Sequence, residues 1–252
     1  MTDFLLVHGA GQSAWVWGQV WGRLNAPPEH PPVLHRPRAV GKVTALDLPG
    51  HGLSSNGAAR AVTLEQCVEA VVQAVPERSA RQTVLVGHGF AAPILLRAAV
   101  QMTQPPKRLV LIAGIIPSSQ EAMISVFPRR VRQGFQALSI ASRWLRQPLR
   151  MPRLAVARYW GSGLSPQQLA QAVGRLGPLP ETVLRTQPAL AEVKEVCPIT
   201  YVVLNQGKLL TAALQKQMAQ RLSNPEIVEL ETGHQAMLQQ PKELAALLLR
   251  YA

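Results

Sequence analysis

At 252 residues, 47% of them hydrophobic, the chain can bury one large core, and its two cysteines are too few for a disulfide scaffold. No apolar run approaches the roughly 20 residues needed to cross a bilayer. The formal net charge of +12 comes without basic residues interleaved with aromatics on a known binding module, so nucleic acid is not an expected partner.

In chain order, the first predicted strand is Phe4–Val7, which runs into the glycine-rich loop Gly9-Ala10-Gly11. No basic residue precedes it, unlike a secretory leader, so a cytoplasmic protein is expected. Residues 25–40, rich in proline, read as a surface loop. A second strand, Val43–Leu46, ends in Asp47-Leu48-Pro49-Gly50-His51-Gly52, and a helix covers Thr63–Val75. Cys67 within that helix and Cys197 before Pro198 read as core thiols. The strand Thr83–Val86 then meets Gly87-His88-Gly89-Phe90-Ala91, and a helix follows over Ala91–Val100. Strands at Leu109–Ile112, Thr200–Leu204 and Ile227–Leu230 and helices at Ala212–Leu222 and Lys242–Tyr251 complete the pattern. Such alternation predicts a doubly wound, mostly parallel α/β sheet of six strands.

Residues 115–196 form a long excursion between the fourth and fifth strands. From Ala122 to Pro180 it holds no Asp or Glu but nine arginines, so this stretch carries +9 of the formal charge. Helical spacing there puts Arg132, Gln136, Ser139, Arg143, Arg146 and Gln147 on one face, and Val131, Phe135, Leu138 and Leu145 on the other. Such a basic amphipathic helix is either the solvated side of a lid, or a face for an anionic membrane surface or an acidic partner. Trp144 and Trp160 are isolated aromatics.

The turn at Gly87-His88-Gly89-Phe90-Ala91 resembles the G-x-S-x-G nucleophile elbow of serine hydrolases, with Gly89 in place of the serine. Together with the Gly9 loop, the Asp47 loop and Gly233-His234 after the last strand, it resembles the α/β-hydrolase fold. The closest likeness is to its compact branch of plant methylesterases, hydroxynitrile lyases and bacterial esterase-like proteins. The resemblance implies one α/β-hydrolase domain over residues 1–252, with residues 115–196 inserted as a cap. It also implies a triad in chain order Ser, acid, His. Gly89 stands at the nucleophile position and Gly207 at the acid position, leaving His234 as the one catalytic side chain. Glu121 lies too far along to replace the acid. His88 reads as core, and Ser13, Ser118 and Ser119 as surface or turn residues. Lys208, beside the acid position, would oppose protonation of His234 if it pointed inward.

The oxyanion donors, being backbone, survive such losses: the Phe90 amide and one from Gly9–Ala10. The expected function is therefore a degenerate hydrolase that binds a small, apolar carbonyl compound, with no cofactor and no metal. The alternative is an active non-serine enzyme (lyase, isomerase or water-mediated hydrolase) using His234 and the oxyanion hole. A remoter reading takes Gly9-Ala10-Gly11-Gln12-Ser13-Ala14 as the G-x-G-x-x-A of a Rossmann-type dinucleotide site, with Asp47 on the ribose. Trp15 and Trp17, bulky where a pyrophosphate needs close approach, argue against it. The loop from Asp47 to Gly52 is expected to be structural.

Overall fold

A computed structural model describes residues 1–26, 40–54, 61–190 and 196–252. Most of the proline-rich loop expected at 25–40 lies outside the described residues. Six strands form one sheet: β1 (Thr2–Val7), β2 (Val40–Leu46), β3 (Thr83–His88), β4 (Arg108–Ile112), β5 (Ile199–Leu204) and β6 (Glu226–Leu230). Their order is β2-β1-β3-β4-β5-β6, and every pairing is parallel. The helices are α1 (Gly18–Asn25), α2 (Leu64–Ala74), α3 (Ala91–Gln101), α4 (Arg129–Trp144), α5 (Arg153–Ala155), α6 (Pro166–Arg175), α7 (Glu181–Arg185), α8 (Ala212–Ala219), α9 (Ala236–Gln239) and α10 (Pro241–Leu249). All six predicted strands and the four predicted helices are present, shifted by at most a few residues at their ends.

A parallel sheet is covered on both faces, and its strands accordingly read as continuous apolar runs. Alternate residues serve the two layers. Leu5 and Val7 of β1, Leu85 of β3 and Leu109 and Leu111 of β4 join the core beneath α2, α3 and α8. Phe4, Leu6, Val84, Val86, Val110 and Ile112 point the other way, toward α1, α9 and α10. That two-sided burial makes the sheet doubly wound. Helix α2 starts at a capping box in which the Thr63 side chain accepts from the Gln66 amide while Gln66 reaches back to the Thr63 amide.

Between β4 and β5 the chain carries α4 to α7. Of the apolar face predicted for this region, Val131, Phe135 and Leu138 do line a cavity, but Leu145 is exposed. Ser139, predicted on the solvent face, is buried and donates to the carboxylate of Glu181, which Arg143 also reaches at 2.8 Å. Periodicity gives a helix its faces but cannot show that a buried carboxylate on α7 will pack against the polar one. Among the described residues no helix is long and apolar enough to cross a membrane.

Candidate active site

The C-terminal ends of β1, β3 and the loop after β6 meet at one cavity of about 350 Å³, closed over by residues of α4, α6 and the chain between them. Gly9, Ala10, Gly89, Phe90 and His234, the residues singled out from the sequence, all line it. Gly207 does not; it belongs to the loop between β5 and α8.

Gly89 occupies the turn between β3 and α3 with φ +51, the left-handed region that favours glycine. Its amide donates to the Ile112 carbonyl at 2.9 Å, and its own carbonyl accepts from Ile115 and Ala92. These bonds hold the turn sharp without a nucleophile on it. A Cβ built there would meet its nearest atom, Cε1 of His234, at 3.9 Å. The space a side chain would take at Gly89 is open and faces the imidazole.

Gly207 differs. A Cβ there would lie 2.4 Å from the Leu210 carbonyl oxygen and 3.2 Å from Nε2 of Gln215. Fully buried Gln215 donates from Nε2 to the carbonyls of Leu204 and Leu210 and accepts the Leu204 amide on Oε1. Its side-chain amide stitches together the loop that follows β5. Lys208 is exposed, so its charge does not bear on His234.

His234 is 8% exposed. Its ring stacks at a tilt 4.5 Å from that of His88 and meets Trp160 edge-on at 6.1 Å. Burial, and then the neighbouring His88, hold its pKa well below the usual imidazole value, so it is neutral at neutral pH. Neither ring nitrogen bonds a protein group among the described residues. Glu121 is exposed and turned to Ser125 instead.

Behind His234 lies a polar frame. Nε2 of His88 is 3.0 Å from the His234 carbonyl and Nδ1 is 3.2 Å from Oε1 of Gln12. A neutral imidazole has one N–H, which we assign to the shorter contact. Burial lowers the His88 pKa to about 4. Oε1 of Gln12 accepts the Gly9 amide at 3.0 Å, while its Nε2 donates to Oε1 of Gln235 at 2.7 Å. The Gly9 amide is thereby committed to Gln12. Neither the Ala10 nor the Phe90 amide meets another acceptor among the described residues. Gly9 admits no side chain, since a Cβ would sit 2.8 Å from Nδ1 of His88.

Gln12, Gln235, His88 and Trp160 were thus missed as parts of the site. Trp160 had no local signal, for its partner lies in another segment of the chain. Gln12 was at least adjacent to the loop glycines. Asp47 proves structural, as expected: its carboxylate accepts the amides of Ala14 at 2.6 Å and Leu53 at 2.9 Å, leaving it no role on a ribose.

The cavity lining contains no serine, threonine, cysteine, lysine or carboxylate side chain. Ser13, Ser118 and Ser119 lie outside it. Cys67 is buried in the core, which pushes its thiol up to about 12. Among the described residues no group of His, Cys, Asp and Glu could hold a metal ion.

Comparison with known proteins places this geometry in context. The sequence profile of the Alpha/beta hydrolase family matches residues 4–247. Over 272 aligned residues the chain is 25% identical to a probable esterase, PIR7A, of rice (Oryza sativa subsp. indica), covering 99% of this chain and 96% of that protein. Among solved structures, an extracellular alpha/beta-hydrolase from a Paenibacillus species superposes with a TM-score of 0.82 at 20% identity, covering 100% of this chain and 99% of that one. Tomato Methylketone Synthase I complexed with 2-tridecanone superposes with a TM-score of 0.73 at 19% identity, covering 99% and 96%.

Proposed function

The chain belongs to the alpha/beta hydrolase family, and we propose that it is a degenerate member which binds a small, apolar carbonyl compound and runs no serine-hydrolase chemistry. The observation that carries this reading is the cavity lining: mostly apolar in its upper part apart from Arg130 and Tyr159, with the buried imidazoles of His88 and His234 at its floor, and no serine, threonine, cysteine, lysine or carboxylate to attack a carbonyl. An acyl-enzyme needs a nucleophile and a base that can deprotonate it. Here the base remains and the nucleophile position is hydrogen.

In this reading the ligand's carbonyl oxygen accepts from the Ala10 and Phe90 amides. Phe90 sits at the N-terminus of α3, where unpaired amides and the helix dipole favour a partly negative oxygen. The apolar remainder lies against Phe127, Val131, Phe135, Leu138 and Met151, which the cap segment supplies. A cavity of about 350 Å³ is in the usual range for small-molecule sites. The tomato synthase, solved with 2-tridecanone, is a fold neighbour whose ligand is of this class.

Calorimetric titration with 2-tridecanone and with tridecane tests the reading. The ketone is expected to bind about tenfold tighter, because the alkane leaves both amides unpaired. Equal affinities would sink the assignment of the amides. In parallel, a panel of p-nitrophenyl esters should be hydrolysed no faster with the protein than without it. Ester turnover that His234→Ala abolishes would show that a water or another residue does attack.

Gly89→Ser is expected to raise ester hydrolysis by about 10²-fold over the wild type. A full triad contributes on the order of 10⁶ in kcat and loss of its acid about 10⁴, which leaves roughly that much for a serine–histidine pair. The open space before His234 accommodates the hydroxyl, at a cost of about 1–2 kcal/mol for a side chain at positive φ. A correctly folded variant with no gain would mean that the cavity does not hold esters against the amides.

A second reading is favoured by the state of His234, neutral and with both ring nitrogens unclaimed. Such a base could move a proton to or from carbon beside a carbonyl while the two amides stabilise the enolate. Lyase or isomerase chemistry would then depend on His234, whereas ligand binding would not, so His234→Ala separates the two.

A further inference from the structure

Helix α4 turns a second apolar strip away from the cavity. Val131 and Phe135 face inward, whereas Ala137, Ile140, Ala141 and Trp144, at spacing i, i+3, i+4, i+7, are all exposed on the opposite side. Ile140 is 59% exposed and Trp144 84%. Leu145, next in the chain after Trp144, and Leu154 on α5 are likewise exposed. Apolar side chains grouped on one exposed helix face mark a surface that a partner or a membrane could cover.

Arginines frame this strip. Arg129 and Arg132 stand at the start of α4 and Arg146 just past its end; all three are exposed and make no ion pair among the described residues. From Ala122 to Pro180 no acidic residue offsets the nine arginines. Among the described residues Arg143 alone of the α4 arginines pairs with a carboxylate, that of Glu181.

From this juxtaposition we propose that the outer face of α4 docks on an anionic phospholipid bilayer. The chemistry fits on both counts. Isoleucine and tryptophan side chains in one strip can enter the boundary between headgroups and acyl chains, and tryptophan suits that depth because its ring is apolar with a polar N–H. The flanking guanidiniums lie level with the phosphates, which they bind in bidentate fashion. A second copy of this chain is the poorer occupant, because two stretches of charge +9 would repel. A groove-bearing acidic protein would seat a deeper ridge than two alanines, one isoleucine and one tryptophan provide. The docking stands whether or not the cavity binds a carbonyl compound.

The test is flotation of the full-length protein with phosphatidylcholine vesicles, with and without about one-third phosphatidylserine, at ~0.1 M salt. Binding is expected to the anionic vesicles only, to weaken as salt rises, and to be accompanied by a blue shift of tryptophan emission. The variant Arg129→Gln/Arg132→Gln/Arg146→Gln should lose about fivefold in partitioning for each charge removed. Ile140→Ser/Trp144→Ser should lose at least about tenfold and abolish the blue shift. These side chains are exposed, so melting curves matching the wild type confirm that the fold is kept. Equal binding to neutral vesicles, no binding to anionic ones, or variants that bind like the wild type would each overturn the proposal. So would binding to soluble polyglutamate in place of vesicles, which would assign the face to an acidic protein.

Discussion

Gly207→Asp, the substitution that would restore the acid of a triad, is expected to destabilise the protein by about 3 kcal/mol or more instead of assisting catalysis. The cost begins at Cβ, which would stand 2.4 Å from the carbonyl oxygen of Leu210. Only backbone movement relieves that contact, and the backbone there is held by Gln215, whose amide bonds Leu204 on both N–H and C=O and also Leu210. Opening the loop breaks buried hydrogen bonds, each worth about 1–3 kcal/mol when its partner is left unsatisfied. The same Cβ would stand 3.3 Å from the Leu204 carbonyl oxygen, so the side chain starts out crowded by two acceptors. Gly207→Ala should therefore carry most of the same penalty. Urea denaturation of both variants measures it, and melting should fall by roughly 6–12 °C. An alanine variant within about 0.5 kcal/mol of the wild type would show that the loop yields easily and that the acid position is still usable.

The two glycines at the expected triad positions are thus physically unlike. At Gly89 there is open space for a side chain, with His234 across the gap. At Gly207 the space is taken by the Leu210 carbonyl, which Gln215 of α8 holds in place. A single step toward the serine is accommodated by this fold, while a step toward the acid requires Gln215 and the loop to change together.

How much of this was legible in the sequence depends on the range over which each residue acts. The strands were readable because burial on both faces makes runs such as Val84-Leu85-Val86 apolar at every position. Gly89 and His234 were readable because the turn and its partner sit in fixed places relative to those strands. Gln215 was hidden: it lies 11 residues beyond Leu204 in a helix, where a glutamine normally faces solvent. Trp160 was hidden too, since its contact with His234 joins the chain between β4 and β5 to the loop after β6. The same holds for Ser139, which fits a polar face by spacing yet is buried against Glu181, 42 residues away. Local pattern reports faces and turns, whereas the choice of partner is a property of the assembled fold.

Acidification should unfold the protein from the site outward, with on the order of 4 kcal/mol of stability lost between pH 7 and pH 5 from His8 and His88 alone. Buried imidazoles drive this, and His51, also lowered by burial, acts in the same direction. Burial, followed by the neighbouring His51, lowers His8 to about 3; burial lowers His88 to about 4 and holds His234 well below the ordinary value of 6.5. A depressed folded-state pKa means that the unfolded chain binds protons first as pH falls. The stability is therefore fully present above about pH 6.5 and drains below it, at about 1.4 kcal/mol per pH unit for each histidine. Most carboxylates titrate lower, near pH 4, so the window from 7 to 5 isolates the imidazoles. A domain with the usual 5–15 kcal/mol cannot absorb such a loss comfortably. The hydrogen bonds show where the damage starts. His8 donates from Nδ1 to the Gly9 carbonyl at 2.8 Å and accepts the Leu48 amide on Nε2 at 3.1 Å, and a proton on Nε2 abolishes the second bond. That bond ties the loop carrying Ala10 to the loop after β2. Affinity for 2-tridecanone should accordingly fall together with urea stability as pH drops from 7 to 5, and both should recover on return to pH 7. Urea midpoints unchanged across that interval would mean that these histidines are protonated, or hydrated, in the native state.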